Sequence, residues 1–276
     1  MKRGLAFLFI SFLLIFTAIS KEFSEIEKNL ITQTLDARLK TRLYDSPDKA
    51  ISSLQNFKVN IEKNPDYINA GEEVKFIVQN MIVLETYNYM YAADMKSKEL
   101  KPFILEQYEK IDNFQTLHKS EELSAWFYLT SGDVINSSMQ FISQATAIKL
   151  GLQEKDDYDS VVQSNPSLAF GRINRALWYY FAPAIGGGSK TIAKEDFEKA
   201  VECAASDYER FYSRIYLSQV YYDEGNTSDC KKLLDECDKI LPSNVYTPFI
   251  RFLNDNKYSL LFYTNNREKV EKKLGL

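Results

Sequence analysis

The sequence predicts an all-α fold, an α-α superhelix built from antiparallel helix pairs, on the basis of three observations. The chain of 276 residues has 18 Tyr and 18 Phe but only 10 Gly and 7 Pro, which favours long helices over many short strands. Two consecutive helical patterns with the spacing of a hairpin run from residue 211 to residue 242. Part of that spacing recurs 37 residues earlier in the chain. With 45% hydrophobic residues, the chain can bury a sizeable core.

An apolar segment at the N-terminus has the pattern of a secretory signal peptide, residues 1–20. Two basic residues precede an apolar run, and the small residues Ala18 and Ser20 precede a possible cleavage site before Lys21. The alternative is an uncleaved membrane anchor, although the run is shorter than the ~20 residues that span a bilayer. We therefore expect a periplasmic or secreted protein whose mature domain is 21–276, without stable insertion in a membrane.

The charge of the mature chain argues against nucleic acid as a partner. Removing the signal leaves 34 − 2 = 32 basic residues against 38 acidic ones, a net charge near −6. Such a balance gives no positive field to hold phosphate groups. The charged segment 267–273 mixes signs at helical spacing, which indicates a solvated helix face.

Helical patterns follow one another through the first 165 residues. The first spans roughly Phe23 to Leu43, and the second begins near Pro47 and runs to about Lys63. Asn64 and Pro65 are expected to end this unit. Further helices are predicted over 71–95, from Pro102, from Ser120 and over 141–165, where Gly151 is expected to bend or split the helix.

The last third of the chain carries the two clearest hairpins, at about 167–205 and 208–242. Small residues let two helices approach closely, large apolar residues fill the seam between them, and a proline ends the second helix. In the later hairpin these positions are Leu217, Ser218, Tyr221, Cys230, Leu234, Cys237 and Pro242. In the earlier hairpin Ala193, Phe197 and Ala200 have the spacing of Cys230, Leu234 and Cys237. Residues 245–276 are predicted to form capping helices, because the end of a helix stack needs a polar outer surface.

The order of these residues resembles the tetratricopeptide repeat, whose pattern of Leu, Gly, Tyr, Ala, Phe and Pro has matching intervals. The turn Ala182-Pro183-x-x-Gly186-Gly187 also resembles that of exported bacterial tetratricopeptide proteins, including those associated with periplasmic substrate-binding transporters. This resemblance covers about 141–242.

The resemblance implies a concave surface lined by the first helix of each pair. The residues placed there are Ile173, Leu177, Tyr180, Tyr212, Ile215, Gln219 and Tyr222. We expect a non-catalytic scaffold that binds a protein or peptide along this surface. The alternative is an accessory component of a periplasmic solute transport system, which binds a solute receptor or a small hydrophobic ligand.

Catalytic and metal-binding patterns are sparse. His118 is the only histidine, so a site with two His ligands is excluded, and its place near a helix end favours the helix dipole. The segment Gly186–Thr191 lacks the spacing of a phosphate-binding loop and is better explained as a turn in which Ser189 caps the next helix. We expect no enzyme activity, cofactor or metal.

The three cysteines are expected to be mainly small packing residues. Cys230 and Cys237 lie seven apart on one predicted helix, and ~10 Å of helical rise is too far for a disulfide. A bond from Cys203 to one of them, or an exposed thiol, remains open.

Overall fold

The structure, a computed structural model, describes residues 21–276, and the predicted signal peptide lies outside this part of the chain. Within 21–276 the chain forms 14 α-helices and no strand, which confirms the all-α prediction. None of these helices is both long and apolar enough to cross a bilayer. The helices are α1 Glu25–Lys40, α2 Pro47–Ile61, α3 Pro65–Asn69, α4 Glu72–Ala93, α5 Leu100–Leu117, α6 Ala125–Ser138, α7 Gln144–Ser164, α8 Ala169–Phe181, α9 Lys190–Cys203, α10 Asp207–Asp223, α11 Thr227–Ile240, α12 Tyr246–Asp255, α13 Leu260–Asn265 and α14 Arg267–Leu274.

The helices stack as antiparallel pairs. The pairs α4–α5, α6–α7, α8–α9 and α10–α11 follow in order, and the second helix of each pair also packs against the first helix of the next. α1 and α2 both pack against α4, so they take the place of an initial pair. The result is a helical solenoid, as the sequence predicts.

Side-chain caps explain where several first helices begin. Ser24 and Glu27 form a capping box at α1, and Ser206 and Glu209 form one at α10, in which each side chain accepts from the other residue's backbone N–H. The Glu209 carboxylate also accepts from the backbone N–H of Phe170 at 3.0 Å, close to the start of α8. This bond aligns the N-termini of α8 and α10.

Close packing holds each of the two predicted hairpins together. Ala193, Phe197 and Ala200 are fully buried between α8, α9 and their neighbours, and Leu217, Ser218, Cys230, Leu234 and Cys237 are at most 4% exposed. Tyr221 is partly buried and donates to Glu198 at 3.3 Å, while Pro242 lies just beyond the end of α11. In the turn before α9, a Cβ at Gly188 would overlap the carbonyl of Ala182, so only glycine fits there.

The solenoid closes on itself through its two ends. α1 packs against α10 as well as against α4. The backbone N–H of Val245 donates to the Arg42 carbonyl at 2.8 Å, just before α12. Near the C-terminus, Arg267 donates to the carbonyls of Tyr91 and Ala92 at 3.0 and 2.8 Å. The first helices α1, α4, α6, α8 and α10 therefore surround a common interior.

The structure refines two expectations about helix ends. Gly151 does not split the helix, because α7 is continuous over Gln144–Ser164, and the indole N–H of Trp178 donates to the Gly151 carbonyl at 2.9 Å. Asn64 and Pro65 do not end the unit but begin α3, since the Asn64 side chain accepts from the Asp66 N–H and Pro65 occupies the first helical position.

Candidate functional site

A polar cavity of about 340 Å³ lies in the interior of the solenoid. All five first helices contribute to its wall: Arg38 from α1, Asn88 from α4, Asp133 from α6, Asn174 from α8, and Tyr208 and Tyr216 from α10. The cavity exists only because the α1 end of the chain meets α10. The cavity wall is therefore formed by the closed solenoid as a whole, and no single helix pair forms it alone.

Two arginines and one glutamate form the positively charged side of this region. The Glu85 carboxylate, 1% exposed, accepts from Arg38 Nε at 3.3 Å and forms an ion pair with Arg42 Nη2 at 3.2 Å. Two guanidinium groups thus share one carboxylate, which leaves a surplus of one positive charge. Burying such a charge is unfavourable unless another group compensates it.

Tyrosine side chains fix the end of α1 against α4 and α10. Arg42 donates to the Tyr212 hydroxyl at 2.6 Å and to the Tyr89 hydroxyl at 2.8 Å. The Arg38 guanidinium lies 5.0 Å from the centre of the Tyr208 ring, within the range of a cation–π interaction. These contacts hold Arg38 at the cavity wall.

Two buried hydrogen-bond donors at the cavity have no partner. Arg38 is 3% and Asn174 is 5% exposed, and within 21–276 neither Arg38 Nη1 nor Asn174 Nδ2 donates to any acceptor. Leaving a buried polar group unpaired costs about 1–3 kcal/mol, more where the group is charged. Native proteins rarely keep such donors unless water or a ligand satisfies them.

Asp133 supplies a carboxylate at the same cavity. Burial raises the pKa of Asp133 to about 7, although the nearby Arg38 and Asn174 oppose this rise. The Asn174 amide comes close enough to affect this pKa, but Nδ2 does not reach hydrogen-bond geometry. The Nε–H of Arg38 is directed to Glu85 rather than to Asp133. Opposite charges therefore face one cavity without contacting each other.

A second acid with a raised pKa, the buried Glu154, interacts electrostatically with Asp133. The Tyr158 hydroxyl donates to Glu154 Oε1 at 2.8 Å, while Glu154 Oε2 has no partner within the described residues. Burial raises the pKa of Glu154 to about 8, and the negative charge of Asp133 adds to the rise. A Cβ at Gly132 would overlap the Tyr158 ring, so glycine makes room for this group. Carboxyls with raised pKa values beside a cavity are typical of functional sites.

Three of the residues predicted for the concave surface do reach the cavity. Ile173, Leu177 and Tyr212 belong to its lining. Ile173 is 3% and Tyr212 is 4% exposed, so neither lies on an open groove. They face the cavity that the first helices share, whose lining also includes the exposed Asn88 and Asn136.

The other four predicted residues lie elsewhere. Ile215 and Gln219 are fully buried, and the Gln219 side-chain carbonyl accepts from the Leu260 N–H at 2.8 Å. The Tyr222 hydroxyl donates to a backbone carbonyl of α12 at 2.8 Å. Tyr180 is half-buried and donates to an aspartate at the end of α10. The C-terminal helices cover part of the predicted surface, so these seven residues do not form one face.

Sequence reasoning missed the residues that carry the site, Arg38, Asp133 and Asn174. The available signal was a charged residue within an apolar helical stretch, as at Asp133 among Val134, Leu129 and their neighbours. Nothing local indicates that α1 contacts α10, because the two are more than 160 residues apart in sequence. The sequence pattern predicts each helix, but it does not predict that the solenoid closes through contact of α1 with α10.

A larger recess of about 560 Å³ lies between the starts of α1 and α8. Two of its lining residues, Ser124 and Lys21, donate to the buried Glu73 carboxylate, the Ser124 N–H at 2.7 Å. Among the described residues that line this recess, none has a buried polar side-chain atom without a partner, as Arg38 has at the smaller cavity.

The cysteines, the glycine turn and His118 are not among the residues that line the cavity. All three cysteines are free thiols, so the alternative of a bond from Cys203 is not realised, and burial raises the pKa of the Cys230 thiol to about 11. The Ser189 hydroxyl accepts from the Ile192 N–H at 3.3 Å and caps α9. His118 stacks on Phe114 at the end of α5.

The comparisons with known proteins add no relative. Neither a protein-family model nor a curated protein matches this chain. Within residues 21–276, no group of three or more His, Cys, Asp or Glu side chains is arranged to hold a metal ion.

Proposed function

We propose that this chain is an exported, non-catalytic binding protein of the helical-repeat class, resembling tetratricopeptide proteins, that holds a small ligand in its interior cavity. The observation that carries the proposal is the pair of unpaired, buried donors, Arg38 Nη1 and Asn174 Nδ2, at a cavity lined by five helices. A ligand that accepts from both donors would remove their desolvation cost.

The size of the cavity favours a small molecule over a peptide. A volume of about 340 Å³ falls at the lower end of small-molecule sites, which span roughly 300–1,000 Å³. The polar wall favours a polar ligand over the hydrophobic ligand that the resemblance implies. The non-catalytic role is supported by the described lining, in which the Asp133 carboxyl is the single carboxyl group among amide and phenol groups.

The ligand proposal is tested by native mass spectrometry of the purified protein. Leu177→Trp places an indole at the cavity, whereas Leu152→Trp makes the same change on a side chain of α7 that is 49% exposed. We expect a small molecule retained by the wild type and by Leu152→Trp, and lost from Leu177→Trp. Equal retention by both variants, or no retained molecule in any of the three, would count against the cavity.

A second candidate function is attachment to the solute receptor of a periplasmic transport system. It is favoured by exposed apolar side chains: Ile185 is fully exposed at the tip of the turn, and Ile148 and Leu152 are 58% and 49% exposed on one face of α7. Lys155, on the same face, lies beside Gly187 of that turn. Cross-linking in the exporting cells should attach such a receptor to the wild type, and Ile185→Asp should reduce its yield. An unchanged yield would contradict this role.

A further inference from the structure

The positive side of the cavity has the chemistry that recognises a carboxylate. Arg38 uses Nε on Glu85 and keeps Nη1 free, and the free Asn174 Nδ2 belongs to the same wall. Arg38 and Arg42 share the single Glu85 carboxylate, and Arg38 Nη1 stays available for a ligand carboxylate. A charge-assisted hydrogen bond from a guanidinium is among the strongest that proteins make with carboxylates.

The same cavity also has the chemistry that recognises a cation. The Asp133 carboxylate belongs to the lining and does not form its ion pair with Arg38, which is bound to Glu85. The Tyr212 and Tyr216 rings, whose centres are 6.0 Å apart, also line the cavity. Aromatic faces and a carboxylate together stabilise an ammonium group.

An apolar part of the wall lies between and around these charged groups. Leu84, Phe170, Ile173 and Leu177 contribute it. A ligand that fits all three regions carries a carboxylate, an ammonium and an apolar side chain close together.

Building on the small-ligand function above, we propose that the cavity binds an apolar α-amino acid as a zwitterion. Its carboxylate accepts from Arg38 Nη1 and Asn174 Nδ2, and its ammonium donates to Asp133. A simple carboxylic acid would leave Asp133 without a counter-charge, and a simple amine would leave Arg38 Nη1 unpaired. A neutral sugar would compensate neither charge.

The test is calorimetric titration of the purified wild-type protein with four probes. L-leucine carries both charges, 4-methylpentanoate lacks the amine, 3-methylbutylamine lacks the carboxylate, and glucose is neutral. Each lost charged contact is expected to weaken binding by about tenfold or more, since charged hydrogen bonds are stronger than neutral ones. L-leucine is therefore expected to bind at least tenfold tighter than each of the other three.

Variants of the lining residues test which side chain binds the carboxylate of the ligand and which binds its ammonium group. Asp133→Asn is expected to weaken L-leucine about tenfold without weakening 4-methylpentanoate, whereas Asn174→Leu is expected to weaken both. Asp156→Asn removes a charge from an exposed position on α7 and should change neither. With wild type, leucine affinity should fall as the pH drops below about 7, where Asp133 takes up a proton, and the Asp133→Asn variant should lack this dependence.

The possible outcomes separate this inference from the function on which it rests. If glucose or 4-methylpentanoate binds as tightly as L-leucine and Leu177→Trp abolishes that binding, the cavity is a ligand site but the zwitterion inference is overturned. The inference is also overturned if Asp133→Asn binds L-leucine as the wild type does. If no probe binds and no molecule is retained in native mass spectrometry, both proposals fail.

Discussion

Replacing Glu154 by glutamine should change how the stability of the protein depends on pH. Glu154 is 4% exposed, its Oε1 accepts from the Tyr158 hydroxyl, and its Oε2 has no partner among residues 21–276. Burial raises its pKa from 4.5 to about 8, so the folded protein holds the proton that the unfolded chain has already lost at neutral pH. Glutamine keeps the shape and the acceptor of Glu154 but does not titrate.

The sign and size of the effect follow from proton linkage. Between pH 4.5 and about 8 the folded state binds more protons at Glu154 than the unfolded state, so the free energy of unfolding falls as the pH rises and levels off above the folded pKa. At about 1.4 kcal/mol per tenfold change in proton affinity, the full loss is on the order of 5 kcal/mol. Asp133, whose pKa rises from 3.8 to about 7, contributes in the same direction in wild type and variant alike.

The assay is urea denaturation at pH 5, 7 and 9. Relative to the wild type, Glu154→Gln should gain stability steadily from the lowest to the highest pH, while Glu109→Gln, at an exposed position of α5, should follow the wild-type profile. If the Glu154→Gln and wild-type profiles run parallel, Glu154 is not the buried, protonated acid described above.

Three further substitutions test the packing. The Cβ of Gly188→Ala would overlap the Ala182 carbonyl, so this variant should lower the free energy of unfolding by about 1–3 kcal/mol. In Gly186→Ala the new Cβ makes ordinary contacts, so the loss in the same urea titration should be clearly smaller. Tyr212→Phe removes the acceptor of the Arg42 Nε–H bond and should lower the free energy of unfolding by about 1.5–3 kcal/mol in chemical denaturation. If the free energy of unfolding does not change, the docking of α1 on α10 is contradicted. Leu234→Ala, at a position 2% exposed in the α10–α11 seam, should cost about 2–5 kcal/mol, seen as a lower thermal midpoint, and a surface-like loss below 0.5 kcal/mol would contradict the seam.

The helix pairs could be predicted from the sequence because their determinants are local. In α9 and α11 the small and large residues recur at fixed intervals, as at Ala193 and Phe197, and each set is buried in its own hairpin. The capping role of Ser189 could be predicted for the same reason, since its hydroxyl accepts from a backbone N–H only three residues further along the chain. The helix break expected at Gly151 does not occur, and a distant side chain, Trp178, bonds to the helix at that position.

The candidate site could not be predicted because it depends on contacts between distant parts of the chain. Arg42 and Tyr212 are 170 residues apart, and no periodicity tells which later helix the end of α1 will meet. Gln219 was placed on an open surface because the sequence does not reveal that the backbone of Leu260 covers it. The first helices do face inward, as the resemblance implies, but the end of the solenoid closes over them.

The central claim is that the first helices enclose a polar cavity whose unpaired donors bind a small molecule. A crystal structure of the purified wild-type protein at high resolution tests it most directly. We predict α1 in contact with α10 and electron density for one small molecule within hydrogen-bond distance of Arg38 Nη1 and Asn174 Nδ2. An α1 helix detached from α10, or donors that bind only water in protein saturated with L-leucine, would contradict the claim.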